Sequence, residues 1–200
     1  MKRLLVALAI LALAVPALAG QNPDIAAYIV DNATGIGNNQ VCPAVNGMFN
    51  VYLCFDNFGE GGGTIGCAFL WTRTFSGFRL SLTNLLGGLT IGDPEVAPGY
   101  AMLSASSLPV YPNADGIVVA ATAMYMYIGT PGTLVLGPHG VDGAKVLDAN
   151  GVADYFCVHS VLYPGTSGHF GVCATPPDGD CEPESAVESS SWGTIKALYR

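Results

Sequence analysis

The chain has 200 residues, half of them hydrophobic, with a formal net charge of −8 and only 11% charged residues, against roughly 25% in an ordinary soluble domain. A surface this acidic repels nucleic acid and anionic lipid at long range, which argues against both as partners. So thin a charge also does little to keep copies of the chain apart, a property that suits a matrix, coat or filament protein.

"MKRLLVALAILALAVPALA" (1–19) has the form of a secretory signal peptide: Lys2 and Arg3 before an apolar run from Leu4 to Val15, a Pro16 break, and small residues at Ala17 and Ala19. Twelve apolar residues are too few to span a hydrocarbon core of roughly 30 Å, so an integral membrane protein is not expected after cleavage. Losing Lys2 and Arg3 takes the charge from −8 to −10 and leaves 181 residues, enough for one domain with a full core.

Period-two alternation dominates the chain from residue 25 to residue 173. Strands are predicted at 25–31, at "MFNVYLCF" (48–55) and at "CAFLWTRTF" (67–75). The clearest is "GFRLSLTNL" (77–85), where Phe78, Leu80 and Leu82 are expected on the buried face and Arg79, Ser81 and Thr83 on the wet one. Strands at 89–92 and 100–105 lead to "GIVVAATAMYMYIG" (116–129), long, uncharged and expected to be a central strand covered on both sides. Further candidates are 133–136, 144–148, 152–162 and 168–173, with Gly and Pro marking nearly every gap. About ten short strands without a convincing long helix predict an all-β, antiparallel β-sandwich of jelly-roll or Ig-like type spanning 20–174.

Six cysteines in an exported chain predict disulfides: Cys42, Cys54, Cys67, Cys157, Cys173 and Cys181. They fall into two groups of three, so complete pairing requires at least one bridge between the two ends of the domain. A zinc alternative would use Cys157, His159, His169 and Cys173, but the spacing within each pair is not that of a zinc finger.

Several other sites are candidates. "GEGGGTIG" matches a phosphate-loop glycine pattern at Gly61, Gly63 and Gly66, but a strand rather than a helix is predicted after it, which favours a hairpin loop. Asp148, Asn150 and Asp154 are oxygen ligands of the kind Ca²⁺ takes, although Asn150-Gly151 also reads as a type I′ hairpin turn. Trp71, Tyr125 and Tyr127, with Tyr111, offer aromatic faces for a sugar, against the plainer role of core residues. Ser167 and the three histidines do not assemble a catalytic pattern, and neither enzymatic activity nor a cofactor is expected.

Beyond residue 174 the composition changes. Residues 175–188 form an acidic, Pro-rich linker. In 189–200, Ser190 or Ser191 can cap a short helix that places Trp192, Ile195, Leu198 and Tyr199 on one face, with Lys196 and Arg200 near its end. This segment reads as a recognition or sorting tail.

"VLGPHGVDGAKVLDANG" (135–151) and the ending "SSWGTIKALYR" (190–200) resemble segments of small exported bacterial β-domain proteins that end in a short Trp-Gly…Ile-Lys…Tyr-Arg tail. The resemblance implies an exported β-domain with a terminal tag and carries over no catalytic or binding residue. The resulting expectation is a secreted, extracellular or cell-surface protein (or a periplasmic one) with a structural or adhesive role. Its partners would be copies of itself or cell-surface glycan or protein. A carbohydrate- or Ca²⁺-dependent binding module is the alternative.

Overall fold

The structure, a computed structural model, describes residues 25–59, 62–141, 143, 145–151, 153–155, 160, 162–163 and 165–177. Residues 1–24, Gly61, residues 178–188, the stretch with Trp192, Ile195, Lys196, Leu198, Tyr199 and Arg200, and Cys157, His159 and Cys181 lie outside them.

The described chain is nearly all β, in twelve strands: β1 (Ala26–Val30), β2 (Gln40–Val41), β3 (Met48–Asp56), β4 (Thr64–Arg73), β5 (Gly77–Asn84), β6 (Gly87–Asp93), β7 (Val96–Ser104), β8 (Val118–Tyr127), β9 (Gly132–Gly137), β10 (Lys145–Asp148), β11 (Ala153–Tyr155) and β12 (His169–Val172). One 3₁₀ turn, Ala105–Ser107, interrupts them.

The strands form two sheets. The smaller runs β1-β3-β8-β5, antiparallel throughout. In the larger, β4 is the hub. β9 pairs with its Leu70–Arg73 half and β10 with Thr64–Ala68, while β7 pairs with Gly66–Phe69 and carries β6 at the edge. β11 adds to β10 and β12 to β9, and β2 joins β12 in parallel. Because β3 and β4 belong to different sheets, the glycine-rich stretch between them is a crossover and not the hairpin loop expected. As anticipated, a strand comes after it.

One core joins the two sheets. Alternation along β3 sends Phe49, Val51, Leu53 and Phe55 inward, where they meet Phe69 and Trp71 of β4, Tyr125 of β8 and Phe170 of β12. Phe49 stacks on Tyr125 at 5.7 Å and on Phe170 at 6.4 Å, and Phe69 packs on Trp71 at 5.1 Å. Each such ring removes roughly 150–250 Å² from water, and the Phe49–Phe170 pair spans the two sheets. β7 approaches β4 closely because Gly99 (φ +122°) faces it: a β-carbon there would collide with the Phe69 carbonyl.

A smaller cluster covers the opposite face of β1 and β3, built from Tyr28, Val30, Cys54 and Ile117. Fully buried Asp56 ties a distant segment to this region. Its Oδ2 accepts the Ser160 hydroxyl at 2.5 Å and the Leu162 N–H at 3.2 Å, and Ser160 Oγ accepts the Tyr163 N–H at 2.8 Å.

Two sequence expectations change here. In β5, Phe78 and Leu80 are 56% and 48% exposed while Leu82 packs on the core. A bulge at Leu80, between the Arg79↔Tyr125 and Ser81↔Met124 pairs, switches the face midway. Arg79, expected in water, therefore turns inward. β8 does lie inside its sheet, between β3 and β5, but only its inner face is fully buried; Val119, Thr122, Met124 and Met126 remain partly exposed.

Candidate functional site

The densest polar cluster lies where β5 approaches the β6–β7 turn. Arg79 holds Asp93 in a two-pronged ion pair, Nη1 to Oδ1 at 3.0 Å and Nη2 to Oδ2 at 2.5 Å. Glu95 accepts Arg73 Nε at 3.0 Å, Arg79 Nη1 at 3.5 Å and the Tyr125 hydroxyl at 2.7 Å. Arg73 also donates to the Gly77 carbonyl, and its guanidinium lies 5.4 Å from the centre of the Phe75 ring. The turn places the two acids: the Glu95 N–H donates to Asp93 Oδ1 at 2.8 Å, so Asp93-Pro94-Glu95 presents both carboxylates to one side.

Two guanidinium groups thus face two carboxylates, and all four carboxylate oxygens accept a donor. The hydrogen bond from Arg79 holds the Asp93 carboxyl below its usual range. Burial, followed by the charge of Glu95, pushes the Tyr125 phenol far up, so it stays a neutral donor. Chemically the cluster is a clasp between β4, β5 and β8 on one side and the β6–β7 turn on the other. The sequence carried a usable sign of it. Arg73 and Arg79 are the only arginines between residues 4 and 199, both within strands of a charge-poor chain, and a half-buried guanidinium needs a carboxylate.

The aromatic platform is overturned. Trp71, Tyr125 and Tyr127 are 1%, 0% and 4% exposed, within the core, because they lie on the inward rows of β4 and β8. Tyr111 alone of that group is largely exposed.

The Ca²⁺ candidate resolves into a turn. Asp148 Oδ1 accepts the Asn150 N–H at 2.8 Å, and its carbonyl accepts the Gly151 N–H at 3.0 Å. β10 and β11 pair on either side, with Val146 opposite Asp154. The hairpin is as expected but its turn is not type I′. Only Gly151, and not Asn150, takes positive φ, whereas a type I′ turn needs both central residues there. Among the described residues no group of three His, Cys, Asp or Glu side chains is placed to hold a metal ion.

Cys42 and Cys173 form a disulfide across a sequence separation of 131, joining the two cysteine groups. This removes Cys173 from the zinc alternative. Cys54 and Cys67, expected in disulfides, are instead free and buried. Cys54 points into the small cluster and Cys67 into the main core, where each behaves as a small apolar residue. A shallow cleft of about 540 Å³ beside the bridge is lined by neutral residues, among them Asn38, Gln40 and Thr175.

Ser167 is buried and engaged with its own backbone, its hydroxyl accepting the His169 N–H at 3.1 Å. His139 closes a small loop through paired backbone hydrogen bonds with Gly143, at 3.0 and 2.8 Å.

Among the described residues several large apolar side chains face outward. Met48, Met126 and Phe78 form one cross-strand row on the outside of the small sheet, with Met48 65% exposed. On and beside the edge of the large sheet, Leu89, Ile91 and Val96 are 61%, 64% and 61% exposed. Among the described residues no helix is long and apolar enough to cross a membrane. No family model matches the chain, nor does any curated protein or solved structure.

Proposed function

We propose that this chain is an exported, non-enzymatic structural or adhesive protein of the bacterial cell surface or extracellular matrix. One observation carries the reading: large apolar side chains are presented outward on strands of both sheets, while Arg73 and Arg79 are neutralised within. A face without charge can pack closely against another such face. The Cys42–Cys173 bridge supports an oxidising compartment, in keeping with a cleaved signal at 1–19. The two sheets are read as a jelly-roll-type sandwich, on the support of nested antiparallel pairs in which β3 takes β8 and β4 takes β7. The segment 189–200 is read as a short helical recognition or sorting tail.

The test is expression of the full chain in a Gram-negative-type bacterium, with and without residues 189–200, followed by fractionation. The full chain should accumulate at or beyond the cell surface and associate with itself or with envelope material. The truncated chain should fold to the same melting temperature but change location. A full chain that stays in the cytoplasm with residues 1–19 attached would refute the reading.

A further inference from the structure

β6 is an edge strand of the large sheet with an open outer side. Among the described residues β6 pairs with β7 alone, leaving its other side without a strand partner. Such edges are usually guarded by Lys, Pro or an inward-pointing charge. Between Gly87 and Gly92 β6 has no Lys, Pro or charge, and its single charge, Asp93, is held by Arg79; bulges between Gly87 and Thr90 and between Gly92 and Asp93 leave Thr90 to Gly92 as its regularly paired part. At the start of the strand the Asn84 amide approaches the carbonyls of Gly88 and Leu89 at 3.1 and 3.5 Å. Leu89 and Ile91 are both more than 60% exposed.

The sequence of this edge indicates what could cover it. Gly88-Leu89-Thr90-Ile91-Gly92 has the same chemical pattern in both directions: glycine, branched aliphatic, threonine, branched aliphatic, glycine. Antiparallel pairing about Thr90 would set Leu89 of one copy against Ile91 of the other, twice, with glycines opposite glycines at both ends. Aliphatic cross-strand pairs of this kind stabilise an antiparallel contact. A single contact made twice about a two-fold axis is the usual form of a homodimer. Charge favours the same occupant. Only 11% of the chain is charged, and β6 carries no charge between Gly87 and Gly92, so two copies can meet there with no like charges facing each other.

We infer that β6 is the contact through which two copies of this chain meet, edge to edge and antiparallel, centred on Thr90. This rests on the self-associating reading above and names its surface. Bulges at both ends of β6 keep the regular edge short, so the interface falls at or below the low end of stable ones, roughly 1,200 Å² in total. The association is therefore weak in dilute solution and matters where copies are crowded.

A cysteine at position 90 tests the geometry. Directly opposed residues of an antiparallel pair have Cα atoms about 4.5–5.5 Å apart, within the disulfide range of about 4.4–6.8 Å. The mature chain carrying Thr90→Cys should form a disulfide-linked dimer on mild oxidation. The parent and Thr83→Cys, an exposed position on β5, should not. In a sedimentation concentration series, Ile91→Lys should weaken association at least tenfold without changing the circular dichroism spectrum. Equal cross-linking at positions 90 and 83, or unchanged association of Ile91→Lys, would overturn the β6 contact while leaving a self-associating protein with another interface. A parent that stays monomeric at every concentration would remove both readings.

Discussion

Replacing Glu95 by Gln is the sharpest probe of the clasp. The substitution keeps shape and volume but removes one charge and turns one acceptor oxygen into an NH₂ donor. Glu95 accepts two close hydrogen bonds, from Arg73 at 3.0 Å and Tyr125 at 2.7 Å. Bonds to a charged group contribute about 1.5–3 kcal/mol each. The Gln carbonyl can keep one of them, in weakened form; the NH₂ must then face the other donor. Arg79 retains Asp93 and drops out of the balance. The Arg73 side chain is 26% exposed and can regain some hydration, which argues for the lower part of the range. The expected loss is about 2–3 kcal/mol. In a domain of this size it corresponds to a fall of about 4–12 °C in melting temperature. Tyr125→Phe removes only one of the bonds and should cost about 1–2 kcal/mol. Because the two groups share that bond, the double substitution should cost less than the sum of the singles. Urea denaturation at pH 7, followed by circular dichroism, measures all four proteins. A Glu95→Gln cost below about 0.5 kcal/mol, typical of an exposed pair, would refute the clasp, as would strict additivity.

Two other expectations concern titration and thiol chemistry. The Asp93 carboxyl is lowered in the folded state by its hydrogen bond to Arg79, so its contribution is complete above the unfolded value of about 3.9 and is lost as pH falls through the folded value. Asp93→Asn should flatten the acid side of the stability profile below about pH 4, and an unchanged acid slope would exclude this carboxyl as its source. Burial pushes the thiols of Cys54 and Cys67 far above their usual range. Peptide mapping after treatment with a thiol reagent at about pH 8, near the ordinary thiol pKa, should find both unlabelled in the native protein and fully labelled in denaturant. Rapid native labelling would contradict the packing of those strands.

The path of the chain was largely legible in its local patterns. Strands predicted at 25–31, 48–55, 77–85 and 116–129 are matched by β1, β3, β5 and β8, because alternation and Gly/Pro punctuation act over a few residues. The two-residue β2 was not legible: its pairing with β12 joins Gln40 to Gly171 and Val41 to Val172, far apart in the chain, and leaves no local pattern. Cysteine parity predicted a bridge between the ends of the domain, and Cys42–Cys173 is one. Yet the premise of complete pairing fails at Cys54 and Cys67, which the core uses as small apolar residues.

Period-two alternation determined that β5 has two different faces but not which one the core would take. Arg79 turns inward because Asp93 and Glu95, brought there by the β6–β7 turn, meet its charge, and the bulge at Leu80 then returns Leu82 to the core. The same limit applies to Trp71, Tyr125 and Tyr127. A strand aromatic can serve as a binding platform or as core, and only the opposing sheet decides between them. By itself the sequence set strand positions, punctuation and charge balance, all matters of local chemistry or counting. The tertiary structure alone decided which faces are buried, which thiols stay free and which four charges meet, since each depends on residues far apart in the chain.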